Sequence, residues 1–119
     1  MTYDPSNIFA RILRQEIPCQ ALYEDAYALA FHDIQPKAPL HILVIPKGPY
    51  VDAAHFYATA PDALVLGFSR ALAQVIQDLN LPKEGYRLIA NSGAHGGQEV
   101  PHYHVHILGG HPLGPMLSR

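Results

Sequence analysis

Three histidines at alternate positions, in His102-Tyr103-His104-Val105-His106, are the residues of this chain whose types and spacing could do chemistry. In an extended strand successive side chains point to opposite faces. The imidazoles would share one face while Tyr103 and Val105 turn toward a core. Imidazole can attack phosphorus, carry protons near neutral pH or ligate a transition metal. Just upstream lies Ser92-Gly93-Ala94-His95-Gly96-Gly97. Gly93, Gly96 and Gly97 can adopt positive φ and bring backbone N–H groups close to an anion. A loop that holds a phosphate would then feed a strand that attacks it.

Three readings of the histidines compete. Solvent-exposed imidazoles on an edge strand would do nothing, but three on one face bury little and repel one another if protonated. Zinc suits histidine ligands, and catalytic zinc sites use three of them plus water. However, same-face side chains on one straight strand fan out over ~13 Å from first to third. One or two of them could still hold a metal with help from His41 or His95. A nucleophile uses the spread: His104 attacks phosphorus from the middle, and His102 and His106, about 6 to 7 Å away on either side, orient it and contact phosphate oxygens.

The elements that must position this strand follow from pattern. Asp4-Pro5-Ser6-Asn7 offers cap residues ahead of Ile8, Phe9, Ile12 and Leu13, whose spacing makes one face of a short helix ended by Pro18. Ala21 to Glu24 and Tyr27 to His32 read as a hairpin around Glu24-Asp25. His41-Ile42-Leu43-Val44-Ile45, closed by Pro46, reads as a central strand. From Asp62 to Leu79, Leu64, Phe68, Leu72, Val75, Ile76 and Leu79 keep helical period behind Pro61, giving the one long helix. Tyr86 to Asn91 and His102 to Leu108 read as the last strands. Hairpin-connected strands with inserted helices predict an α+β domain: an antiparallel sheet with one long and one short helix.

A length of 119 residues suits one domain spanning residues 1–119. A net charge of −2 with eight Lys plus Arg leaves no basic patch for extended nucleic acid, though a single nucleotide fits. Eight histidines are many for this length, and His102, His104, His106 and His111 cluster near the end. Cys19 is the only cysteine, which excludes an internal disulfide and a Cys-rich zinc site and suits a reducing compartment. The start MTYDPSNIF lacks the basic and apolar regions of a secretory signal, and no run reaches a membrane span. The expectation is a soluble, cytoplasmic protein that binds no membrane.

Four segments carry a resemblance: IFARILRQEIP, YEDAYALAFHDIQPKAPLHILVIPK, GYRLIANSGAHGGQEVPHYHVHILGG and PLGPML. With GGQ ahead of HxHxHxx, they resemble the histidine triad family in its bacterial nucleotide-binding branch over nearly the whole chain. The resemblance implies a homodimer whose sheet continues across the subunit interface, binding a purine nucleoside monophosphate or phosphoramidate in each protomer. It implies hydrolysis of adenosine or guanosine 5′-phosphoramidates, and of aminoacyl adenylates such as lysyl-AMP, through a covalent nucleotidyl-histidine. A nucleotide-binding regulator with incidental hydrolysis and a dinucleoside polyphosphate hydrolase are the alternatives.

Carried over by position, the resemblance makes His104 the nucleophile, His41 and His102 the histidines behind it, and His106 and Gln98 phosphate contacts. Asn91, Gly97 and Glu99 complete the phosphate and leaving-group side. Asp33 becomes the ribose ligand, with Phe31, His32 and Ile34 beside it. Ile8, Phe9 and Ile12 line the base pocket, and Val105 joins the nucleotide-binding set. From pattern alone, Ile8, Phe9 and Ile12 could equally be core and Asp33 a turn residue. Asn7 and Ala10 stand where some relatives carry zinc-binding cysteines, so no metal and no other cofactor is expected. Glu99 stands where many eukaryotic members have serine. His106, where a nucleotidyltransferase branch has glutamine, favours hydrolysis over transfer.

Overall fold

Leu40–Pro46, apolar and β-branched, lies at the middle of a five-stranded sheet in the computed structural model, which describes residues 2–117. The strands are β1 (Ala21–Glu24), β2 (Ala28–His32), β3 (Leu40–Pro46), β4 (Arg87–Ile89) and β5 (Val105–Gly109). Their order is β1-β2-β3-β5-β4, and every neighbouring pair is antiparallel. Four α-helices are inserted, α1 (Ile8–Leu13), α2 (Ala53–Thr59), α3 (Asp62–Asp78) and α4 (Gly93–Gly96), with a 3₁₀ turn at Leu81–Lys83. The α+β expectation holds, but the helix count was too low. Asp52 starts α2 by accepting the His55 backbone N–H at 2.9 Å, and the glycine loop itself winds into α4.

Two boundaries differ for physical reasons. α1 is capped as the sequence suggests, with Asn7 Oδ1 accepting the Ala10 N–H at 2.9 Å. It ends well before Pro18, because Gln15 adopts φ +63°. β5 begins only at Val105. The preceding backbone is drawn off the ladder: the Tyr103 N–H donates to the Tyr50 carbonyl at 2.7 Å and the His102 N–H to the Val100 carbonyl at 2.9 Å. His102 and His104 are therefore held in irregular backbone, not in a strand.

Alternation along β2, β3 and β5 gives the sheet two unlike faces. On one, Ala28, Ala30, Ile42, Val44, Val105 and Ile107 pack under α3, which contributes Phe68, Ala71, Val75 and Ile76 at helical spacing. On the other, Leu29, Phe31, Leu43 and Ile45 pack against Phe9 and Ile12 of α1. His41 and His106 share that second face, because the register sets His41 opposite Leu108 and His106 opposite Leu43.

Candidate functional site

Four imidazoles gather on the α1 side of the sheet. The His104 and His106 ring centroids lie 5.0 Å apart, those of His41 and His106 5.1 Å apart, and Phe9 of α1 stands edge-on to His104 at 5.0 Å. His41, His102 and His104 are buried and His106 is half-buried. The cluster is tighter than a straight strand allows, since His102 and His104 precede the regular part of β5.

Hydrogen bonds fix which nitrogen of each ring carries the proton. His104 Nδ1 lies 2.7 Å from the His102 carbonyl, which can only accept, so Nδ1 holds the proton and Nε2 is a bare lone pair. His102 Nε2 lies 3.0 Å from the Pro46 carbonyl and must donate, which leaves Nδ1 to accept from the Tyr3 hydroxyl at 2.7 Å. His41 Nδ1 accepts the Lys37 backbone N–H at 3.0 Å, so its proton sits on Nε2 and is given to His106 Nδ1 at 2.9 Å. His106 is then protonated at Nε2. Of the four unprotonated ring nitrogens only that of His104, Nε2, is left without a donor, beside an unengaged N–H donor on His106.

Burial keeps these rings neutral, because desolvation penalises the charged form. It pushes His102 down to about 4, against the opposing pull of the Pro46 carbonyl. His106 is also pushed down to about 4, first by burial and then by His104 and His41. Burial lowers His104 too, opposed by its hydrogen bond to the His102 carbonyl and by the negative charges of Asp33 and Glu99. His41 is lowered by burial against the pull of Asp33. A neutral His104 is what a nucleophile requires.

Asp33 follows β2 and serves two ends: Oδ1 accepts the Gln35 N–H at 2.8 Å, as a turn residue does, and Oδ2 lies 3.4 Å from His41 Nε2. Asp33, His41 and His106 each place one ligand atom within 4.8 Å of the others, a set that could hold a metal ion. His95, the other histidine weighed as a metal ligand, lies exposed in α4 and outside that set. Around the imidazoles the apolar residues divide. Phe9, Ile12 and Phe31 are buried and pack with Leu29, Leu43 and Ile45, whereas Ile8 is 42% and Ile34 90% exposed.

Several sequence expectations need correction here. His32 is set opposite Ile42, on the α3 face, away from the imidazoles. Val105 lies in the α3 core, as alternation demands, so its side chain cannot line the same site. Gln98 is a brace: its Nε2 donates to the Val51 and Val100 carbonyls at 2.7 and 3.0 Å, and its Oε1 accepts the Gly93 N–H at 3.1 Å. Those bonds tie the amide to the backbone on both sides of the glycine turn. The glycine loop is likewise self-bonded, with the Gly97 N–H donated to Ala94 and the Gln98 N–H to Gly93, each at 3.1 Å. Gly93 and Gly97 take the anticipated positive φ, at +66° and +74°, while Gly96 is helical. Asn91, half-buried, and Glu99, exposed, flank this turn. Tyr3 was missed, and no spacing rule connects it to a histidine 99 positions away.

Comparison with known proteins places this geometry. A model of the HIT domain matches residues 14–113. The chain is 45% identical over 111 residues to the purine nucleoside phosphoramidase of Escherichia coli (strain K12), covering 93% of this chain and 92% of that one. It is 52% identical over 118 residues to a 13.2 kDa HIT-like protein of Azospirillum brasilense, covering 99% and 97%. Among solved structures, a histidine triad protein from Clostridium difficile superposes with a TM-score of 0.83 at 36% identity, covering 98% of this chain and all of the other.

Proposed function

The chain belongs to the HIT domain family, and from that premise we propose that it hydrolyses purine nucleoside 5′-phosphoramidates and aminoacyl adenylates through a nucleotide bound covalently to His104. The observation that carries this reading is the bare Nε2 of a buried, neutral His104. That lone pair attacks the α-phosphorus and forms an N–P bond. The P–N bond to the leaving group breaks with its electron pair on nitrogen, which takes a proton from solvent and departs as the free amine. For an aminoacyl adenylate the P–O bond breaks instead and the amino acid carboxylate leaves. Water then attacks phosphorus, releasing the nucleoside monophosphate and restoring the lone pair.

Each remaining role follows from what the side chain offers. His106, held by His41 with its Nε2–H free of that bond, donates to a phosphoryl oxygen as charge grows. Asp33 Oδ2 is an acceptor suited to ribose hydroxyls, and Ile8 and Ile34 present apolar surface to a purine. Phe9, Ile12 and Phe31 belong to the apolar cluster that seats α1 on the sheet. Asn91, Gly97 and Glu99 stand on the leaving-group side. The same reading makes the enzyme a homodimer with its sheet continued through β4, an edge strand on which Leu88 is exposed beside Tyr86. The unpaired Cys19 suits action in the reducing cytoplasm.

Mass spectrometry after rapid quench with adenosine 5′-phosphoramidate tests the central claim. A nucleotide on the peptide position of His104 is expected. A nucleotide on His102 or His106 overturns the assignment.

A further inference from the structure

We infer that Tyr3 is a positioning residue for this reaction, its hydroxyl holding His102 in the single tautomer and orientation that keep the His102 carbonyl on His104 Nδ1. The inference rests on the proposed role of His104. Three hydrogen bonds in series carry it. Tyr3 Oη lies 2.7 Å from His102 Nδ1, His102 Nε2 lies 3.0 Å from the Pro46 carbonyl, and the His102 carbonyl lies 2.7 Å from His104 Nδ1. The His102 and Pro46 carbonyls can only accept, and the sense at the His102 ring is set from the Pro46 end. From it the directions propagate: Nε2 donates, Nδ1 accepts, and the phenol is the donor.

The His102 side chain is fully buried, so water cannot replace that donor without opening space. Tyr3 is also held in place. The segment that carries it is fastened by Asn7, whose side-chain Nδ2 and backbone N–H both donate to the Asp4 carbonyl, at 2.7 and 3.2 Å. Arg14 adds a bond to the Pro5 carbonyl at 2.9 Å. The Tyr3 and His102 rings meet edge to face at 5.7 Å, and Phe9, from the same end of the chain, stands edge-on to both His102 and His104. The amino-terminal segment thus supplies both a wall and a proton donor to imidazoles at the far end of the sequence.

Removing the hydroxyl leaves a buried lone pair on His102 Nδ1. The ring then either takes a proton there or turns to find another donor. Both changes disturb the backbone whose carbonyl holds His104 Nδ1–H. A fraction of His104 then carries its proton on Nε2 and cannot attack. Nucleotide affinity draws on Asp33 and the exposed isoleucines, so the loss falls on the chemical step.

The test uses the full chain with Tyr3→Phe, which keeps the ring, and a thermal melt confirms that the variant is folded. Long-range ¹H–¹⁵N spectra of ¹⁵N-histidine-labelled protein, recorded without substrate, report each imidazole tautomer directly. The wild type should show His104 protonated at Nδ1 alone, and the variant a mixture. With adenosine 5′-phosphoramidate, kcat should fall by about tenfold while KM is unchanged. Identical His102 and His104 resonances in both proteins overturn the inference, as does a loss that appears in KM and not in kcat. Failure of the phosphoramidate reading looks different: the wild type itself would not turn over, while the tautomer shift would persist.

Discussion

β2, β3 and β5 present one face to α3 and the other to α1, and the two faces treat polarity in opposite ways. Under α3 the sheet contributes alanine, isoleucine and valine, and the space is closed by Phe56, Phe68 and Tyr103 ring against ring. Under α1 the apolar cluster is smaller, and His41, His102 and His104 are buried beside it. That second arrangement is tolerable because both nitrogens of His41 and His102 and Nδ1 of His104 find partners: among the described residues no fully buried side-chain polar atom lacks one. The contrast teaches that a five-stranded domain of this size can devote one face to stability and keep the other for chemistry. Mutations on the two faces should therefore fail in different assays.

The largest effect expected on the chemical face is loss of turnover. His104→Ala should lower kcat by at least about a thousandfold, since no other ring offers an unprotonated nitrogen to phosphorus. AMP binding measured by calorimetry and the thermal midpoint should both be retained. On the opposite face, Phe68→Ala removes a fully buried ring and should cost about 3–5 kcal/mol in urea unfolding, with kcat unchanged while the protein remains folded. If His104→Ala unfolds the chain, or Phe68→Ala abolishes chemistry in folded protein, the division between faces is wrong.

Acid should find the α1 face first. His102 and His106 are each pushed from the ordinary imidazole value down to about 4, mainly by burial. Between pH 6.5 and about 4 the unfolded chain binds protons that the folded one refuses, so stability falls as pH falls through that window. For deeply buried His102 the loss is on the order of 3 kcal/mol. Half-buried His106 adds less, because solvent screens it. Urea titrations at intervals from pH 7 to 4 should show this decline. A flat profile would mean that the imidazoles are not desolvated as a set.

What could be read from the sequence follows the same division. A continuous apolar, β-branched run announced β3, which is buried on both faces, and alternation announced the shared face of the three histidines. α3 was legible from Phe68 to Ile76 for the corresponding helical reason. α2 was not, since Ala53–Thr59 has a single buried residue, Phe56, and therefore no period to detect. The start of β5 was misplaced because the Tyr50 carbonyl, distant in sequence, captures the Tyr103 N–H. The site was legible in its histidines and in Asp33, whereas the Gln98 brace and the Tyr3 donor depend on partners that only the folded chain brings near. Spacing reveals which residues share a face but not which atoms are already engaged.

The smallest effect expected is also the most selective. Glu99 is exposed at the end of the glycine turn, and its negative charge is felt by His104, where it favours the protonated ring. A carboxylate there opposes both the neutrality of the nucleophile and the approach of an anionic phosphate, so for most substrates it should be a liability. It becomes an asset when the departing group carries a positive charge, as the side chain of a lysyl adenylate does. Glu99→Ser should then lower kcat/KM for substrates with a cationic leaving group by about tenfold, roughly 1.4 kcal/mol, and change neutral-amine phosphoramidates less. Steady-state kinetics on one substrate of each kind, at low and high salt, would read the difference, and salt should shrink it. Equal effects on both substrates, or none on either, would make Glu99 a bystander. The polar surface outside the imidazole cluster would then play no part in choosing the leaving group.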